Sequence, residues 1–184
     1  MLKEKLNNYF KLKVNSPEDK VAFLDGSKMD PISFPINNVV PVLINIEEER
    51  TLRPPNRFEG VLQNGIRTNI LPQISVNLSV LFVCKFSDYE QSLKFLSLII
   101  KFFQRNQVFN QQSSPSLNPA IEKLKVELVT LSVSQKNEIW SSLRTTYLPS
   151  VLYKISLLVF QDDESFEVVG ETTEVETNVS IMES

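Results

Sequence analysis

From Ile74 to Phe86 an apolar side chain stands at every second position, Ile74, Val76, Leu78, Val80, Phe82, Cys84 and Phe86, without a break. Only an extended strand with one face against a core suits that period. The intervening positions start polar, with Ser75, Asn77 and Ser79, and turn apolar at Leu81 and Val83. The C-terminal half is therefore expected to be covered on both faces. At about 1.5–3 kcal/mol per buried large side chain, such a strand is a major stabilising element. A helix is expected directly after it. Ser87 or Asp88 offers an N-cap, and Asp88 to Arg105 carries two adjacent apolar stripes, Tyr89, Leu93, Leu96, Ile100 and Phe103 beside Phe95, Ile99 and Phe102. That arc is wider than one sheet-facing surface needs, so the helix must be covered twice, either by its own chain or by a neighbouring subunit.

The remaining elements follow from the same periodicities. Leu2, Leu6 and Phe10 give a short amphipathic helix that ends before Asn15-Ser16-Pro17. Val39 to Ile46 is a continuous, β-branched run suited to a strand covered on both faces, with Pro41 marking its start or an edge position. Residues 51–72, with Pro54-Pro55, Gly60 and Gly65, show no sustained period and read as a long loop carrying Arg53, Arg57 and Arg67 just after Arg50. Solvation and insertion into a partner both remain open for it. Leu124, Val126 and Leu128 alternate with charged residues and favour a half-exposed strand, although Ile121, Leu124, Leu128 and Leu131 also fit helical spacing. Ser134 before Gln135-Lys136-Asn137-Glu138 reads as a helix start, with Ile139, Trp140 and Leu143 as the apolar face. Pro149 closes that helix and opens a core strand from Val151 to Phe160. Beyond it, residues 161–184 contain acids but no Lys or Arg. Thr173, Val175, Thr177, Val179 and Ile181 alternate there, which fits an arm adding a strand to a partner's sheet edge, while the composition equally fits an acidic disordered tail.

The composition narrows the chemistry. The 184 residues include no histidine, which removes Ser-His and Cys-His catalysis, HExxH sites and most zinc ligand sets. The four glycines form no phosphate-cradling motif. A net charge of -3 supplies no bulk basic field for nucleic acid. The single cysteine, Cys84, cannot make an internal disulfide; it lies on the apolar face and reads as an inert buried thiol. Met1 to Phe10, with Lys3, Glu4 and Lys5, does not read as a signal peptide, and no apolar run reaches the length of a membrane span. The expectation is an α/β (α+β) fold, a small mixed sheet packed with a long central helix and shorter helices, in one domain over residues 1–160 with an extended acidic arm over 161–184. No catalytic, cofactor-binding or metal-binding residue is assigned.

Three stretches carry a family resemblance. They are Val39 to Arg50; Asn77 to Phe109, with Asp88-Tyr89 and Phe102-Phe103-Gln104; and Asn137-Glu138-Ile139-Trp140 followed by Tyr147-Leu148-Pro149-Ser150-Val151-Leu152-Tyr153-Lys154. The chain resembles the cap, or tail-terminator, proteins of phage-tail-like contractile injection systems over about residues 39 to 160. The most specific part is the spacing from the helix tryptophan to Tyr-x-Pro-Ser-x-x-Tyr.

The resemblance implies a structural, non-enzymatic protomer of a sixfold ring that caps the inner tube, stops tube and sheath growth and anchors the sheath. Its partners would be further copies of itself, the inner tube protein and the sheath protein, with no nucleic acid, cofactor or membrane insertion. Assembly would take place in the bacterial cytoplasm, on a particle that is later released or membrane-anchored. In that setting Tyr89, Phe95, Ile99 and Phe102 are expected at a subunit interface. Arg50, Arg53, Arg57 and Arg67 are expected to meet the tube or a neighbour, and Thr173, Val175, Thr177, Val179 and Ile181 the sheath. Another tube-initiating or baseplate-adaptor protein of the same kind of particle is the alternative, because similar α/β units recur there.

Overall fold

In a computed structural model of the protein, which describes residues 1–28, 31–49, 61–63, 66–69, 74–119, 121, 123–160 and 166–167, the period-two segment is a strand from Ile74 to Lys85. In chain order the elements are Leu2–Val14 (α1), Asn38–Glu48 (β1), Val61–Gln63 (β2), Ile66–Asn69 (β3), Ile74–Lys85 (β4), Tyr89–Arg105 (α2), Val108–Asn110 (β5), Lys123–Val129 (β6), Val133–Ser142 (α3), Ser150–Phe160 (β7) and Phe166–Glu167 (β8). The chain divides into two compact units, Met1–Arg53 with Gln73–Gln161, and Pro54–Pro72 with Asp162–Ser184.

The first unit holds a five-stranded sheet in the order β1-β4-β7-β6-β5, each neighbouring pair antiparallel. The parallel component is one isolated bridge between Val21 and Val39. There the Val39 amide donates to the Lys20 carbonyl at 2.7 Å, and the Ala22 amide donates to the Val39 carbonyl at 3.0 Å. Val39 thus turns its backbone groups away from β4. Pro41 shares that parity, so its missing N–H removes no bond from the ladder to β4. The sequence reading of Pro41 as an edge marker agrees with this placement.

On one face of the sheet, α1 and α2 bury Leu6, Phe10, Phe95, Ile99, Phe102 and Phe103 against Val39, Phe82, Cys84, Val126, Tyr153 and Ile155. Helix α2 begins as the sequence indicates, with the Asp88 carboxylate accepting from the Glu90 amide at 3.0 Å. Helix α1 ends at Asn15 in the left-handed region, φ 50°, which asparagine tolerates. Buried Asn7 ties α1 to the sheet margin, its Oδ1 accepting from the amides of Lys20 (3.0 Å) and Val21 (2.8 Å).

The opposite face buries Leu81, Val83, Val40, Val42 and Leu152 beneath Phe34 and Trp140. The expectation that the C-terminal half of the Ile74–Lys85 strand is covered twice is met, Leu81 and Val83 being 2% and 0% exposed. Helix α3 corrects one detail. Its N-cap is Ser132 and not Ser134, because Gln135 can close a capping box only from three residues beyond the cap. Ser132 Oγ accepts from the Gln135 amide at 3.2 Å while the Ser132 amide donates to Gln135 Oε1 at 2.9 Å.

In the second unit, β2 and β3 pair antiparallel from Val61↔Thr68 to Gln63↔Ile66, and β8 pairs with β3 through Thr68↔Glu167 and Asn69↔Phe166. Part of the 51–72 stretch expected as a loop is therefore a short hairpin, and the beginning of the C-terminal segment supplies its third strand. Short strands with no sustained alternation leave little sequence signal.

The packing makes a sharp contrast between adjacent residues of α2. Ile99, fully buried, is expected to cost about 2–5 kcal/mol on replacement by alanine. Ile100→Ala, on the exposed side, is expected to stay within about 0.5 kcal/mol of the parent. Urea unfolding followed by tryptophan fluorescence compares the two directly.

Candidate functional site

The single thiol and the Tyr153 phenol lie in the core. Cys84 is 0% exposed, and burial pushes its thiol up to about 12, so it stays protonated at neutral pH and is no nucleophile. Burial also pushes the Tyr153 phenol up to about 12. Among the described residues no three His, Cys, Asp or Glu side chains converge to hold a metal, and no helix is long and apolar enough to cross a membrane. A cavity of about 140 Å³ lies where α3 crosses β6 and β7, lined mainly by Leu81, Leu128, Leu131, Ile139, Trp140 and Leu152. Among the described residues that line it, Lys136 is the one charged residue, with Thr130 and Ser150 as the polar ones.

What the first unit does present is apolar surface. Helix α2 buries Phe95, Ile99 and Phe102 of one stripe and Phe103 of the other, and leaves Tyr89, Leu93 and Ile100 65%, 41% and 37% exposed. The subunit-interface assignment of Tyr89, Phe95, Ile99 and Phe102 is corrected accordingly. Phe95 stacks on Phe86 with ring centres 4.4 Å apart and meets Phe10 edge-to-face at 5.2 Å. Phe102 packs against Tyr9 at 5.3 Å, and Ile99 is 0% exposed. These three are consumed by α1 and the sheet within the same chain, because the N-terminal helix covers that flank. Tyr89 alone of the four is free to meet a partner, together with Leu93 and Ile100 of the same stripe.

A second surface lies on β1, and the sequence reading missed it. Val39 to Ile46 was expected to be covered on both faces; on the face beneath Trp140 cover continues through Val42 to half-buried Ile44, but on the other face Leu43 and Ile46 are 52% and 58% exposed. The register explains how they act together. Leu43 pairs with Val80 and Ile46 with Leu78, with a β-bulge between Leu43 and Asn45. Val80 and Leu78 alternate on the helix-bearing face, so the bulge returns Ile46 to the face of Leu43 although three positions separate them. The signal available in the sequence was Pro41 at one end of this strand and Glu47-Glu48-Glu49 at the other, both typical of an edge strand.

Of the residues expected to contact tube and sheath, Arg50, Arg53 and Arg57 lie outside the described residues, as do Thr173, Val175, Thr177, Val179 and Ile181. The backbone of Arg67 sits in β3 opposite Leu62; its side chain lies outside the described part.

Residues 1–174 match the family described as the Pvc16 N-terminal domain. Two solved structures share the fold. One is the sheath/tube terminator, in its extended state, of the extracellular contractile injection system PVC, with a TM-score of 0.56 and 14% identity over 98% of this chain and 64% of that one. The other is the tube-terminating cap of the anti-feeding prophage, with a TM-score of 0.56 and 13% identity over 98% of this chain and 60% of that one. The present chain thus spans less than two thirds of the length of either. No protein of curated function matches it.

The buried thiol and phenol give the fold an alkaline limit. Both are neutral when protonated, and their folded values of about 12 stand above the ordinary 9.0 of Cys84 and 10.0 of Tyr153. The unfolded chain therefore releases these protons first, and stability that is complete below about pH 9 is lost as the pH rises towards about 12. The urea midpoint should fall across that window, and by less in Cys84→Ala; an unchanged slope in that variant would remove the thiol from the account.

Proposed function

The chain belongs to the family of the Pvc16 N-terminal domain, and on that premise we propose that it is a structural cap of a contractile injection system. In this reading several copies, six in the expected ring, close the distal end of the inner tube, stop the growth of tube and sheath and hold the sheath end. The observation that carries the reading is the spread of the likeness. The family match runs over residues 1–174, and the fold shared with two tube terminators runs over 98% of the chain.

The properties of the molecule suit a structural part and not a catalyst. The chain contains no histidine, its thiol is buried, and among the described residues apolar side chains stand exposed on α2 and β1. Ring subunits need such surface, since each copy has neighbours on two sides. The segment bearing Arg50, Arg53, Arg57 and Arg67 is assigned to the tube or to a neighbouring copy, where clustered guanidinium groups can meet carboxylates. The segment with Thr173, Val175, Thr177, Val179 and Ile181 is assigned to the sheath by strand addition, main-chain hydrogen bonds supplying the affinity. Assembly in the bacterial cytoplasm accompanies this role.

Purified protein mixed with tube ends is expected to form hexameric rings seated on those ends, read by native mass measurement and electron microscopy. A persistently monomeric protein that leaves the ends bare would overturn the proposal. Truncation after Gly170 keeps the Phe166–Glu167 strand. It is expected to leave ring formation intact and to release the sheath; full sheath retention would remove the arm from this role.

A further inference from the structure

We draw no further inference here: the strongest candidate, the apolar surface patch that Leu43 and Ile46 form on the far half of β1, is an exposed sheet face, and nothing among the described residues shows what covers it.

Discussion

Three aromatic rings, Phe82, Phe103 and Tyr153, hold the first unit together. Their centres are 4.6 to 5.9 Å apart, and they bring β4, α2 and β7 to one point. Tilted and edge-to-face arrangements at such distances add about 0.5–1.5 kcal/mol per pair to the area they bury. From that point a chain of rings runs outward through Phe102 to Tyr9 on α1 and to Phe109 on β5. The layer over the helix face is therefore one connected aromatic cluster, and the position of each helix depends on the others. Through β4 the same constraint reaches the opposite face. Leu81 and Val83 alternate with Phe82 and Cys84, so fixing one set against the helices fixes the other beneath Trp140.

The elements with long periods were legible in the sequence. The β4 alternation, the α2 stripes, the Asp88 cap and the Leu6–Phe10 face all reappear where their spacing placed them, because local pattern and tertiary burial agree there. The failures have particular causes. The apolar arc of α2 was read as needing more than one cover, and spacing could not say which part the chain itself covers. The answer lies with Phe10 and Tyr9, more than 80 positions away in sequence. Leu43 and Ile46 were hidden for a related reason: a continuous apolar run looks the same whether its cover is internal or supplied from outside. The hairpin of β2 and β3 gave no signal because strands of three and four residues have too few positions to show a period.

Placing apolar surface at the margin of a sheet is a liability that the fold limits by local means. Pro41 and the parallel bridge at Val39 guard one end of β1, and Glu47 and Glu48 mark the other, which leaves a short stretch that no strand among the described residues pairs with on its outer side. At the far margin β5 is only three residues long and pairs with β6 no further than Lys125. Both margins are thus interrupted, and uncontrolled growth of the sheet in either direction is disfavoured.

The tie made by Asn7 has a consequence for the order in which the protein can be made. Helix α1 leaves the ribosome before α2, yet the surfaces that receive Phe10 and Tyr9 are Phe95 and Phe102 on α2. At about 5–20 residues per second, that helix waits several seconds to about 20 s for its counterpart. Throughout that interval Phe10 lacks the α2 side chains it packs on, and for most of it β1 also lacks its partner β4. Closure of the N-terminal layer is therefore a late event, coupled to synthesis of the middle of the chain, and nascent protein halted before α2 is the form most in need of a chaperone.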